Sequence, residues 1–144
     1  MIYLDTSALV KLYIEEIDSP TVREWVADRR PMITSLVSFP EACSAFSRRR
    51  FNGDLTQESF EKALHALESD WGIYIKLSVN EKLAGNLAIT HKLRGFDAVQ
   101  LAGALVFSKE VNSTSLLFAC FDKNLNTAAG REGLMILADT CKPQ

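Results

Sequence analysis

Apolar positions along this chain follow two rhythms. Short apolar or alternating runs occur at Met1–Leu4, Met32–Thr34, Ile73–Val79, Leu116–Phe121 and Leu134–Ala138. Each has the length and pattern of a β-strand. Between them, apolar residues return every third or fourth position, which is the helical period. Ser7–Ile14 is a short predicted helix with Ala8, Leu9 and Leu12 inward. Ser19–Asp28 follows, with Ser19 as cap, Pro20 in the first turn and Val22, Trp25 and Val26 buried. Pro31 then breaks the chain. Ser35 is expected to open the helix SLVSFPEACSAFSRRR, with Leu36, Phe39, Cys43 and Phe46 on one stripe. Pro40 is tolerable there only near the helix start.

Asn52-Gly53 reads as a turn. A helix starting at Thr56 places Phe60, Leu64, Leu67 and Trp71 on one face. Asn80–Leu93 should turn Leu83, Leu87 and Ile89 inward, and Gly95-Phe96 should break the chain. Asp97–Lys109 is apolar nearly all round, so a buried helix is expected. Leu116–Phe121 is a continuous apolar run suited to a central parallel strand. Lys123–Arg131 is a last short helix. Strands alternating with helices predict an α/β fold with a parallel sheet. No repeat, low-complexity tract or linker divides the chain, so residues 1–144 read as one domain.

Composition narrows this picture modestly. The chain of 144 residues is 47% hydrophobic and 24% charged, as in ordinary globular proteins. Its net charge of −2 provides no global basic field, so a nucleic-acid partner would need a local basic patch. Cys43, Cys120 and Cys141 form no CxxC pair. They are expected to be free thiols in a reducing compartment. No run reaches membrane-spanning length. Asp5 interrupts any signal-peptide pattern, so the expected address is cytoplasmic.

The chemistry lies in four acids. Asp5 ends the first strand (YLD) and Asp122 ends the apolar run LLFACFD. Asp97 opens the buried helix (GFDAVQLAGAL), and Glu41 lies early in the Ser35 helix. At ~100° per residue, Glu41 points about 160° away from Cys43, on the face of Arg48. Individually, Asp97 and Asp122 read as helix caps and Glu41 as a dipole partner. Asp5 resists that reading, because Thr6 or Ser7 could cap the next helix. In parallel α/β folds, sites lie beyond the carboxyl ends of the strands. Carboxylates gathered there repel one another unless a cation neutralises them. Carboxylate oxygens suit Mg²⁺ or Mn²⁺. Jointly the four acids point to a metal site.

The blocks LDTSALVKLY, SFPEACSAFSRRR, RGFDAVQLAGAL and FACFDKNLNTAA, in this order, resemble the PIN-domain family of metal-dependent nucleases. The resemblance spans essentially the whole chain and is strongest to toxin subunits of VapBC-type toxin–antitoxin pairs. It implies a three-layer α/β/α sandwich with a central, mainly parallel sheet. It also implies a divalent-metal site at Asp5, Glu41, Asp97 and Asp122, supported by Thr6 or Ser7. Such proteins cut RNA, often tRNA or ribosomal RNA, and usually form homodimers. A small antitoxin would block the site, and the exposed surface of Ser35–Trp71 is its expected docking region by analogy. Relatives often carry His where this chain has Gln100, which can still hydrogen-bond a carboxylate or substrate.

The implied reaction is Mg²⁺- or Mn²⁺-assisted hydrolysis of a phosphodiester, which requires no His base. His65 and His91 accordingly read as structural or surface residues. Arg48, Arg49 and Arg50 form the densest basic run, and Lys11, Lys92, Arg94 and Lys123 flank the acidic blocks. Arg48 and Arg94 are the expected substrate contacts. Trp25, Trp71, Phe60, Phe107 and Phe96 read as core. Several other site types lack their residues. A haloacid-dehalogenase phosphatase needs a second Asp where Ser7 stands. A metal-dependent adhesion site needs Ser where Leu9 stands. No phosphate-binding or dinucleotide Gly motif occurs. The competing class is a PIN-like module that binds RNA or assembles without cutting.

Overall fold

In the computed structural model, residues 1–28, 30–112 and 115–137 are described. Cys141 and Ala138, the end of the expected last strand, lie outside them. Five short strands form one sheet: β1 (Ile2–Leu4), β2 (Met32–Ser35), β3 (Ile75–Leu77), β4 (Leu117–Ala119) and β5 (Met135–Ile136). The strand order is β3-β2-β1-β4-β5, and every pairing is parallel. Among the described residues, seven helices connect and cover them: α1 (Thr6–Val10), α2 (Ser19–Val26), α3 (Ser38–Phe51), α4 (Gln57–Asp70), α5 (Glu81–His91), α6 (Gly95–Glu110) and α7 (Lys123–Arg131).

The alternation of side chains on β1 splits the core in two. Ile2 and Leu4 face a layer built from α1 to α4, where Leu9, Val22, Phe46 and Leu67 are fully buried. Tyr3 faces the opposite layer, where Leu101 of α6 and Leu125 of α7 pack with Phe118 of β4. The Tyr3 and Phe118 rings stack at 5.5 Å. The result is the three-layer α/β/α arrangement with a parallel sheet that the sequence predicts. Because β1 lies centrally and its neighbours β2 and β4 run to opposite sides, a crevice opens beyond the carboxyl ends of β1 and β4.

Several boundaries differ from the expected ones for local reasons. Ser35 is the last residue of β2, and α3 begins only at Ser38, which puts Pro40 in its first turn. Leu36 therefore leaves the core stripe and is 48% exposed; Ser38, Ala42 and Phe46 are the buried α3 positions. Ser19 does not cap α2. Asp18 precedes that helix at φ 72°, and the Ser19 hydroxyl donates to the Ile14 carbonyl at 3.0 Å. The expected strand Ile73–Val79 shrinks to Ile75–Leu77 because β3 is an edge strand, leaving Ile73 and Val79 exposed. Ile89 points to solvent rather than inward. Gly95 and Phe96 belong to the first turn of α6 instead of a break. The break falls just before it, where Lys92 ends α5 at φ 54°.

Candidate active site

The four acids arrive from four separate segments at the same end of the sheet. Asp5 follows β1 directly, and its backbone N–H donates to the Ala119 carbonyl of β4 at 3.1 Å. Asp122 follows β4 by three residues. Glu41 and Asp97 sit in the first turns of α3 and α6. All four line one open cleft of about 1020 Å³. Thr6, Ser7, Gln100, Arg48 and Arg94 line the same cleft, whereas Arg50, Lys92 and Lys123 do not.

Asp5 and Asp122 are also helix caps, contrary to the expectation that Thr6 or Ser7 would replace Asp5 in that role. Asp5 Oδ1 accepts from the Ala8 N–H at 3.0 Å and from the Ser7 hydroxyl at 2.7 Å. Asp122 Oδ1 accepts from the Leu125 N–H at 2.8 Å. Its Oδ2 lies 3.6 Å from the Arg94 guanidinium. Capping is thus compatible with the site: it fixes one oxygen and aims the carboxylate. Asp97 is not a cap. Its Oδ2 accepts from Arg94 Nε at 2.8 Å, and Arg94 spans Asp97 and Asp122 as a counter-charge. Among the described residues, no three acidic, His or Cys side chains form a closed cation cluster.

Ser7 ties the two strand ends together. While donating to Asp5, its oxygen accepts from the Phe121 N–H at 2.9 Å. Cys120, fully buried behind it, accepts from the Asp122 N–H at 3.2 Å. Burial pushes the Cys120 thiol up, with nearby Asp5 adding to the effect, so it stays protonated and packs as a core residue. The Asp5 carboxyl is raised to about 6, first because it is out of water and, to a smaller extent, because Asp97 is near. Hydrogen bonds from Ser7, Cys120 and Ala8 oppose that shift.

Glu41 is held by a separate polar chain. The Thr6 hydroxyl donates to Glu41 Oε1 at 2.8 Å. Gln100 Nε2 reaches the same oxygen at 3.1 Å, Thr6 Oγ1 at 3.0 Å and Ser38 Oγ at 2.9 Å. Behind Gln100, the Tyr3 hydroxyl donates to Oε1 at 2.9 Å. Facing a carboxylate, the amide must present its N–H side to Glu41, so its oxygen faces Tyr3 and Tyr3 must donate. Burial, then Asp5 and Glu41, hold the Tyr3 hydroxyl well above its ordinary range, which keeps its proton in place. Gly103 leaves room for this contact, since a Cβ there would sit 3.2 Å from the hydroxyl.

Tyr3 and Ser38 were not singled out from the sequence. The signal existed for Tyr3: the period of β1 turns it toward α6, where Gln100 lies. Glu16 was likewise not singled out, and Arg49 was noted only as part of the basic run with Arg48 and Arg50. They pair with each other on the cleft wall, and Lys11 Nζ lies 3.9 Å from the same Glu16. Phe96 is a correction: it is 58% exposed and lines the cleft rather than joining the core. Arg50 turns away to stack on Phe60 at 4.3 Å. His65 is exposed, and His91 pairs with Glu132 at 2.6 Å, away from the four acids.

No protein-family model matches the chain. It is 32% identical over 139 residues to Ribonuclease VapC45 of Mycobacterium tuberculosis (strain CDC 1551 / Oshkosh), covering 94% of each chain. The chain belongs to the VapC ribonuclease family. Ribonuclease VapC49 of Mycobacterium tuberculosis (strain ATCC 25618 / H37Rv) matches with the same 32% identity and 94% coverage of both chains. Among solved structures, Mycobacterium tuberculosis VapC20, described as a Sarcin-Ricin loop cleaving toxin, superposes with a TM-score of 0.63. That match covers 89% of this chain and 95% of VapC20 at 17% identity, a likeness of fold alone. The parallel sheet between two helical layers is the PIN-type sandwich of this VapC family member.

Two outcomes follow from the geometry. The raised Asp5 carboxyl means the folded state binds a proton more tightly than the unfolded chain. Stability therefore falls as pH rises from the ordinary carboxylate range through about 6, and the ionised group carries the full penalty above that. Asp5→Asn keeps the cap acceptor and removes the charge. Urea denaturation in EDTA at about pH 7.5 should show it more stable than wild type, by at most about 3 kcal/mol, with the gap closing toward about pH 4. A variant destabilised equally at both ends of that range would mean Asp5 serves only as a cap. Tyr3→Phe leaves the Gln100 oxygen without its donor and should cost about 1–3 kcal/mol in the same experiment. A loss below about 0.5 kcal/mol would remove Tyr3 from the chain of contacts that orients Glu41.

Proposed function

We propose that this chain is a divalent-metal-dependent endoribonuclease and the toxin component of a toxin–antitoxin pair. The observation that carries the reading is the arrival of four acids from separate segments in one cleft at the switch point of a parallel sheet. The ribonuclease names of the relatives support the activity.

Asp5, Glu41, Asp97 and Asp122 are the proposed metal ligands, and their donor chemistry fits Mg²⁺ or Mn²⁺. All are hard oxygen donors, one of them is raised by its own burial, and two share a single arginine as counter-charge. When bound, the ion would lower the pKa of a water molecule and screen the phosphate. The protein's part is orientation. Ser7 and Ala8 hold Asp5, while Thr6 and Gln100 hold Glu41, so these acids need little reorganisation when charge develops. Arg48 and Arg94 are the proposed phosphate contacts. For Arg94 this requires leaving Asp97 and Asp122, an exchange that its 79% exposed side chain permits.

RNA is the proposed substrate, with tRNA or ribosomal RNA as candidate classes. A small cognate antitoxin, a homodimer and a cytoplasmic setting complete the proposal. None of the described helices is long and apolar enough to cross a membrane. A second reading is a PIN-like module that binds RNA without cutting. It is favoured by the lack of a closed cation cluster among the described residues and by the Arg94 clip across two of the acids.

Cleavage of a broad RNA panel in Mg²⁺, Mn²⁺ or EDTA separates the readings. Cutting is expected with either metal and not with EDTA. Asp5→Asn and Asp97→Asn should each lower it by at least about 100-fold, roughly 3 kcal/mol of transition-state stabilisation. Undiminished cutting by both variants would sink the proposed centre. Metal binding with no cleavage would favour the second reading.

A further inference from the structure

Glu41 has the longest side chain of the four acids and is held differently from the others. Asp5 and Asp122 are fixed by backbone N–H groups of the helices they cap, and Asp97 by Arg94. Among the described residues, the hydrogen bonds to the Glu41 carboxylate come from the side chains of Thr6 and Gln100, and both fall on Oε1. Oε2 is thereby left for the cleft that Glu41 lines. How that oxygen is aimed depends on how the Gln100 amide is held.

Two groups that can only accept fix the proton directions around Gln100. One is the Glu41 carboxylate. The other is the Leu4 carbonyl at the end of β1, 2.7 Å from Thr34 Oγ1. Thr34 gives its single proton there, so the Ser38 hydroxyl, 2.8 Å away, donates to Thr34. Ser38 Oγ is then an acceptor for Gln100 Nε2, as is Thr6 Oγ1 once Thr6 has donated to Glu41. Turned the other way, the amide would set its oxygen against a carboxylate and two hydroxyls with no proton to give. Its oxygen instead meets the Tyr3 hydroxyl at 2.9 Å. Tyr3, Thr34, Ser38 and Gln100 are all buried. Such a cluster gives little net stability over apolar groups of the same shape. Its outlet to the cleft is Glu41 and Thr6.

We propose that Tyr3 is a positioning residue for the reaction, acting through the Gln100 amide to hold Glu41 ready for a cation. The inference rests on the proposed metal role of the four acids. It adds a core residue, itself outside the cleft lining, that sets how well they bind. A glutamate with free rotamers loses conformational entropy each time a ligand fixes it. Holding it beforehand moves that loss from binding to folding. Side chains that orient a metal ligand commonly change metal affinity by roughly 10- to 100-fold.

The test is Mn²⁺ titration of the full chain, followed by electron paramagnetic resonance of the free ion with no RNA present. Tyr3→Phe should raise the Kd about tenfold, and Gln100→Leu at least as much. The double variant should match Gln100→Leu alone, because among the described residues the Tyr3 hydroxyl meets the site through Gln100. Tyr74→Phe is the control. It removes a hydroxyl from another buried tyrosine, 2.6 Å from the Tyr13 hydroxyl in the opposite core layer, and should leave the Kd unchanged. A metal-free arm uses nuclear magnetic resonance in EDTA. There the Gln100 side-chain amide protons should exchange with solvent faster in Tyr3→Phe than in wild type.

Saturable wild-type binding with an unchanged Kd in Tyr3→Phe would overturn the positioning role and leave the metal site standing. An equal loss in Tyr74→Phe would do the same, by tracing the effect to stability alone. So would a double variant weaker than Gln100→Leu, or amide exchange in EDTA that Tyr3→Phe leaves unaltered. No saturable binding by wild type would overturn both this inference and the proposed metal centre.

Discussion

A carboxylate removed from water must be compensated by hydrogen bonds, by opposite charge or by taking up a proton. Asp5 sits in that position at the carboxyl end of the central strand, 3% exposed. Its neighbours provide hydrogen bonds from Ser7 and Ala8, yet among the described residues no cationic side chain pairs with it, and Asp97 adds repulsion. The protein tolerates this because the rest of the fold holds the strand ends fixed. The Asp5 N–H is locked to β4, and Ser7 bridges to Phe121, so Asp5 and Asp122 cannot drift apart independently. Local stability is given up at the place where chemistry would need a charge, a common trade at functional sites.

The other half of the site depends on a buried amide. Gln100 is 2% exposed and has acidic, hydroxyl and phenolic neighbours. Each neighbour restricts the others: Glu41 fixes the direction of the amide, the amide requires a donor behind it, and Tyr3 is that donor. Gly103 keeps the space open. A chain of this kind runs from the floor of one core layer to the cleft, so packing between β1 and α6 sets the aim of Glu41. Glutamine suits this position because its side chain has one donor end for Glu41 and one acceptor end for Tyr3.

Much of this was legible in the chain. The alternation of short apolar runs with helical periods gave the parallel α/β fold, because strands buried on both faces and amphipathic helices leave distinct patterns. The four acids were legible from their positions at element ends. What the pattern could not carry was exact phasing. Ser35 looked like a helix cap, but β2 continues through it, and the delayed start of α3 turns Leu36 outward. Ile73–Val79 looked like a full strand, although an edge position leaves most of it unpaired. Phe96 looked like core because an aromatic residue beside an apolar helix usually is; only the position of the α6 start shows that it faces the cleft. Tyr3 read as one more strand residue, since its role depends on a partner 97 positions away.

On the proposed reading, Asp5, Glu41, Asp97 and Asp122 bind a divalent cation, and Arg94 competes with it for Asp97 and Asp122. Mn²⁺ binding to the purified chain, followed by electron paramagnetic resonance of the free ion, tests it without any substrate. Saturable binding that is lost in Asp97→Asn and strengthened in Arg94→Gln is the expected result. Absence of saturable binding in wild type and in Arg94→Gln alike would contradict it, and would leave the four acids as caps and ion-pair partners on a scaffold with no metal chemistry.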